Sequence, residues 1–383
     1  MTPLHLNTIL EQLNTLVVTI NRFGNIEYIS PSVKTLLGYE PQSLLGERWL
    51  NVTRQEDQIA NKTELLSVLR SRKYGSGPLS FERALTDSVG RTKWILWNVS
   101  LSPDNNLIGV GQDITFRKKA ELELRAKNKE LQLKNSEVTD SIRYAKRIQD
   151  AVIKDPGALK NYFTDAFVLY KPRDIVSGDF YWYHKKDNKV FVAAVDCTGH
   201  GVPGAIMSVI ANNLLKEVVV KRGLEDAGEI LHAIDKELGI TLSREDGIIN
   251  DGMDIALTVF DFGNNTLSFA GAHRPLLLIR NEEIKEYKGS KYPIGFFEGD
   301  KTFETHHISF QSEDRFFMLT DGYIDQFGGE NDKKFNRKQF YELLTTSQHM
   351  SMDEQRSFLE YAHTNWKQDK PQTDDILVMG VRI

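Results

Sequence analysis

The chain has 383 residues, 40% of them apolar and 26% charged, with a formal net charge of −5 at pH 7. That length suggests two or three domains, each with enough chain for a sizeable core, and the composition is that of ordinary soluble globular protein. The acidic balance argues against nucleic acid or a membrane surface as partner, and the single cysteine, Cys197, excludes an intrachain disulfide framework and fits a reducing cytoplasm.

No run approaches the roughly 18 apolar residues of a membrane span, and the N-terminus MTPLHLNTILEQL lacks the basic segment and apolar core of a leader. The expected location is therefore cytoplasmic. Leu16 to Ile20 and Ile26 to Ile29 read as two strands around a turn at Asn21 to Asn25. Ser30-Pro31 supplies an N-cap and first-turn proline for a helix carrying Val33, Leu36 and Leu37 and ending at Gly38. A longer helix is expected over Glu56 to Arg72. Three strands come next, at Leu79 to Leu85, Arg91 to Leu101 and Leu107 to Gln112, separated by turns at Asp87 to Gly90 and Pro103 to Asn106.

This order, with ISPSVKTLLGYEPQSLLGERW (Ile29 to Trp49) in the middle and GQDITFRKKAE (Gly111 to Glu121) at the exit, resembles a PAS sensor domain, expected over residues 1–116. Its one histidine, His5, precedes the first strand and it has no cysteine, so neither haem nor a flavin adduct is expected. Trp49, Trp94 and Trp97 are read as core or sheet-surface residues rather than as the lining of a ligand pocket.

Residues 117–154 read as a helical linker. Leu124, Leu131, Val138, Ala145 and Val152 recur every seven residues, and Asn128, Asn135, Ile142 and Gln149 lie four after the first four of them. With the first set at d and the second at a, the pattern fits a parallel two-stranded coiled coil, and so a homodimer through the PAS domain and linker; a solvated single helix on its own domain is the alternative.

Beyond the linker the informative stretch is VFVAAVDCTGHGVPGAIMS, Val190 to Ser208. An apolar, β-branched strand ends at Asp196, a turn with two glycines comes next, and Pro203 stands at the expected start of a helix with Ile206, Ile210, Leu214 and Val218 on one face. Asp179 opens a Tyr/Trp-rich strand, Asp321 ends the apolar run Phe316 to Thr320, and Asp374 with Asp375 opens the last run, Ile376 to Ile383. A second amphipathic helix carries Ile230, Leu231, Ile234 and Leu238. Carboxylates gathered at strand ends are natural oxygen ligands for Mg²⁺ or Mn²⁺.

The ordered set VSGDFYW, VDCTGHGVPGAIMS, AGAHRPLLL, LTDGYID and TDDILVMGV resembles the SpoIIE-type branch of the metal-dependent (PPM) serine/threonine protein phosphatases, over residues 155–383. Val138 to Ile153 likewise resembles the helix that precedes SpoIIE-type domains joined to sensor modules. The resemblance implies an α+β multidomain chain whose C-terminal domain is an αββα sandwich. It further implies two Mn²⁺ or Mg²⁺ ions, bridged by Asp179 and Asp196 as the catalytic acids and completed by the Cys197 carbonyl, Asp321 and Asp374. Asp375 would at most contact a bound water. His200 is read as a turn residue rather than the leaving-group acid, and Arg173 as a solvated arginine rather than a phosphate ligand. The substrate implied is a phosphorylated protein of the STAS (anti-anti-sigma) type. The alternatives are a non-catalytic PAS scaffold, against which the intact acids speak, and a nucleotide-handling two-metal enzyme, which has neither a P-loop nor a GGDEF-like element here.

Overall fold

The computed structural model describes residues 15–53, 57–71, 74–244, 247–248, 251–295, 299 and 301–383. The chain divides into two units, Met1–Asn135 and Ser136–Ile383.

In the first unit, β1 (Thr15–Ile20), β2 (Ile26–Ile29), β3 (Leu79–Thr86), β4 (Thr92–Leu101) and β5 (Leu107–Asp113) form one antiparallel sheet in the order β2-β1-β5-β4-β3. Alternation in β1 buries Leu16, Val18 and Ile20, which pack with Val33 and Leu37 of α1 (Ser32–Leu37) and with Leu85, Ile95 and Leu107 of the sheet. The α1 helix stops where Gly38 takes a left-handed φ of 75°. Its start differs from expectation: no side chain caps it, because the Ser30 hydroxyl is spent on the Val17 N–H at 2.9 Å and on Ser32 at 2.6 Å. Tertiary pairing with β1 wins over local capping. The second helix, α2, spans Gln58–Ser71; the expected end residues Glu56 and Arg72, like His5, lie outside the described residues. Trp49 and Trp97 line an apolar cavity of about 90 Å³, with Leu16, Val18, Phe81 and Leu107, and the Trp49 indole donates to the Gly24 carbonyl. Trp94 is not among the lining residues.

The linker is a single helix, α3 (Thr115–Val152). Leu124, Leu131 and Val138 are exposed, whereas Gln149, expected at an a position, is 2% exposed and hydrogen-bonded within the second unit.

The second unit has four layers. One sheet runs β13-β10-β9-β8-β7, from β7 (Asp179–Lys186), β8 (Lys189–Cys197), β9 (Gly252–Asp261), β10 (Thr266–Ala272) and β13 (His306–Ser309). The other runs β12-β11-β14-β15-β6, from β6 (Asp165–Lys171), β11 (Leu276–Arg280), β12 (Glu283–Tyr287), β14 (Arg315–Leu319) and β15 (Ile376–Arg382). All these neighbours pair antiparallel. The β8 strand reads as continuously apolar because both its faces are covered. Phe191, Ala193 and Val195 meet α4 (Gly201–Leu215) and α5 (Ala227–Leu242), while Val190, Val192 and Ala194 meet Leu276, Phe316 and Leu377 of the facing sheet. On the far side, Phe317 and Val378 pack on Phe340 of α6 (Arg337–Thr346) and Leu359 of α7 (Met352–Lys367). Each such buried Val, Leu or Phe side chain stabilises by roughly 1.5–3 kcal/mol. The α4 helix begins at Gly201 with His200 as N-cap, two residues before Pro203, which still falls within the first turn, where no helical N–H is lost.

The stretch Gly201–Lys221 is long and apolar enough to pass as a membrane span on length and composition alone, which the sequence reading did not anticipate. Nine of its 21 residues are buried, among them Met207, Ala211 and Leu215 in the core beside β8.

Candidate metal and phosphate site

Register places the acids. Asp179 opens β7 opposite Asp196 of β8, and Asp254 of β9 pairs with Asp196 from the other side. Residues directly opposite on adjacent strands share a face, so three carboxylates line one end of the sheet. The facing sheet brings Asp321, just beyond β14, beside the segment that opens β15, where Thr320 N–H bonds to the Leu377 carbonyl. Gly322 packs so closely on the Asp375 carbonyl that a Cβ there would lie 1.9 Å from it.

The loop before β7 is held from two sides. Asp375 accepts from the Arg173 N–H at 2.7 Å and from the Gly178 N–H at 2.8 Å. This carboxylate therefore has a structural role: it ties the Asp179 loop to the start of β15. Gly178 abuts the turn after β8, and a Cβ there would be 2.5 Å from the Gly199 carbonyl and 3.1 Å from that of Cys197. Only glycine allows the approach. From the linker helix, Gln149 donates to the Ser177 carbonyl at 2.7 Å and to the Ser208 hydroxyl of α4 at 2.9 Å.

Burial leaves the acids poorly solvated. Asp179 is 3% exposed and its Oδ2 has no hydrogen-bond partner; burial, then the charge of Asp196, holds its carboxyl well above the usual range. Burial also pushes Asp196 up to about 7, against the opposing pull of Arg274. Asp374 is raised too, chiefly by burial. The Cys197 thiol is buried in the core and pushed up by that burial, which suits packing rather than nucleophilic chemistry.

An orphaned, buried carboxylate oxygen beside further acids is the donor chemistry a hard divalent cation requires. Among the described residues, however, no three His, Cys, Asp or Glu side chains are gathered in a metal-holding arrangement. Arg274 lies among the acids instead: its Nη2 is 2.5 Å from Asp196, 2.8 Å from Asp321 and 3.1 Å from Asp254. Sequence reasoning missed Arg274 and Asp254. The Asp254 signal was an acid at the start of the strand GMDIALTVF, legible only once its register against Asp196 is known.

The histidines sit at the rim. His200 Nδ1 is 2.9 Å from Asp174, and both side chains are exposed. His273, in left-handed backbone at φ 57°, has Nδ1 2.8 Å from Asp254 and Nε2 2.7 Å from the Lys291 carbonyl. Arg173 is exposed and donates to the Thr373 carbonyl.

A family model described as stage II sporulation protein E (SpoIIE) matches residues 186–383, and one described as PAS fold matches residues 10–119. The SiaA-PP2C domain of Pseudomonas aeruginosa is 31% identical, with a TM-score of 0.60, over 65% of this chain and 98% of that one. The PP2C phosphatase domain with a regulatory fragment of SpoIIE from Bacillus subtilis is 15% identical, with a TM-score of 0.48, over 86% and 89%. The RsbU and RsbW domains of a Mycobacterium tuberculosis protein are 16% identical, with a TM-score of 0.48, over 57% and 59%. No curated protein matches the chain.

Proposed function

Because this chain belongs to the SpoIIE family of PPM-type serine/threonine phosphatases and carries an N-terminal PAS domain, we propose that it is a PAS-regulated, metal-dependent phosphoprotein phosphatase acting on a STAS-type regulator. The observation that carries the metal dependence is the buried Asp179 Oδ2, which has no partner, beside Asp196 in register. Asp179 and Asp196 would hold two Mn²⁺ or Mg²⁺ ions between them, with Asp321, Asp374 and the Cys197 carbonyl completing the set. Ions so held supply Lewis-acid charge to a phosphoryl dianion and lower the pKa of water, a combination worth many orders of magnitude in rate. The protein's own part is to fix the acids. Asp375 and Gln149 brace the loop that carries Asp179, and close packing at Gly178 joins that loop to the turn after Asp196.

The exposed Leu124, Leu131 and Val138 support a homodimeric linker. The PAS domain would then act on the phosphatase through α3, in the cytoplasm. The STAS substrate rests on the SpoIIE-type motifs between Val176 and Val381 and on the match of residues 186–383 to that family. The test is phosphate release from a phosphoserine STAS protein by the purified chain with Mn²⁺ and with chelator. Release only with Mn²⁺ is the expected result, and hydrolysis of other phosphoproteins but not of this one would remove the STAS assignment.

A further inference from the structure

Resting on that reading of the site, we propose that Arg274 is its phosphate-binding residue: it pairs with the acids while no cation is bound, and turns to the phosphoryl oxygens once cations hold those acids.

Arg274 is 9% exposed, and its Nη2 alone meets three carboxylates, those of Asp196, Asp254 and Asp321. Among the described residues no other Lys or Arg forms an ion pair with Asp179, Asp196, Asp254, Asp321 or Asp374. This guanidinium is thus the cation that draws Asp196, Asp254 and Asp321 together. Two of these carboxylates, Asp196 and Asp321, are proposed ligands, and their lone pairs cannot serve a guanidinium and a divalent ion equally. When cations bind, the hydrogen bonds to Asp196 and Asp321 must loosen.

The root of the Arg274 side chain stays where it is, because its backbone is clamped. Its N–H donates to the Ala272 carbonyl at 2.7 Å. Its own carbonyl is packed so tightly that a Cβ at Gly271 or Gly289 would lie 2.2 or 2.7 Å from it. The side chain is left at the rim of the acid cluster with donors to satisfy, among them Nε, which is already buried without a partner. Leaving such donors unpaired is costly, and a phosphate dianion offers the acceptors a planar guanidinium matches in bidentate fashion. Arg173, the sequence candidate, is exposed and engaged with the Thr373 carbonyl instead.

The test uses the full chain and two separate titrations by calorimetry, one with Mn²⁺ and one with inorganic phosphate added to the Mn²⁺-loaded protein. Arg274→Gln should keep Mn²⁺ binding, unchanged or tighter, and weaken phosphate at least about tenfold; Arg274→Lys, which keeps the charge but not the fork, should fall between. The metal-free Arg274→Gln protein should melt lower than wild type and recover with Mn²⁺, since its acids lose their counter-cation. If that variant fails to fold, wild-type phosphate affinity in Arg274→Lys overturns the proposal. Wild-type phosphate affinity in Mn²⁺-loaded Arg274→Gln overturns it, as does loss of Mn²⁺ binding in that variant, which would make Arg274 a scaffold for the acids. Failure of the wild-type chain to bind Mn²⁺ at all would bring down the two-cation reading and this proposal with it.

Discussion

Gln149 and Ser177 are joined in both directions: Gln149 Nε2 donates to the Ser177 carbonyl at 2.7 Å, and the Ser177 N–H donates back to Gln149 Oε1 at 3.3 Å. The pair ties the last turns of the linker helix to the loop that carries Asp179. Gln149→Ala leaves both backbone groups of Ser177 buried and unpaired, at a cost of roughly 1–3 kcal/mol for each. The expected outcome is a lower melting temperature, faster amide exchange at Ser177 and Gly178, and reduced kcat at saturating Mn²⁺. Unaltered exchange at those two amides would show that the loop does not depend on the linker.

That contact also marks where the sequence stopped being legible. The heptad pattern put Gln149 at a polar a position, and an amide suits both a coiled-coil seam and a buried backbone partner, so residue type cannot choose between them. The strands and the placement of Asp179, Asp196, Asp321 and Asp374 at strand ends were readable because alternation and glycine turns are local signals, whereas the four-layer order came only from the family resemblance, since periodicity alone gives no more than mixed α and β. Arg274 was not, because its role depends on three acids brought together from β8, β9 and the end of β14. Asp375 was underestimated for the same reason: its partners Arg173 and Gly178 are about two hundred positions away in sequence.

His200 shares a hydrogen bond with Asp174 at the exposed rim, an arrangement worth little to stability. If its work is to shape the turn into α4, His200→Ala should lower kcat by less than about 10²-fold, the lower bound for losing a general acid. The measurement is the pH profile of aryl phosphate hydrolysis. Loss of the alkaline limb together with a larger fall in kcat would make His200 the leaving-group acid.

Helix phase is the expected currency of control. Leu124, Leu131 and Val138 are exposed on α3 at seven-residue spacing. Two residues inserted after Leu133 rotate the downstream helix by about 200°, whereas a full heptad adds about 10 Å and keeps the seam in phase. The first insertion should alter basal activity or uncouple it from the PAS domain, and the second should leave both intact. Equal behaviour of the two, or a monomer by sedimentation at micromolar concentration, would contradict a phased dimeric linker.

His363 sets an acid limit on stability. It is 3% exposed, its Nε2 is unpaired, and burial, then the charges of Lys171 and Lys367, pushes its pKa down to about 4 from 6.5. The unfolded chain therefore takes up the proton first. Stability is unaffected above about pH 6.5, falls between there and about 4, and levels off below, for a total loss on the order of 3 kcal/mol. Urea midpoints measured across that window should drop for the wild type and drop less for His363→Gln. Parallel curves would remove His363 as the source.

The most direct test of a metal-dependent phosphatase built on Asp179 and Asp196 is aryl phosphate turnover by the purified chain, titrated with Mn²⁺, alongside Asp179→Asn and Asp196→Asn. The account predicts hydrolysis that requires Mn²⁺ and falls by at least about 10³-fold in either folded variant, since each loses a negative ligand shared by both ions. Wild-type turnover in either variant at saturating Mn²⁺ would contradict it.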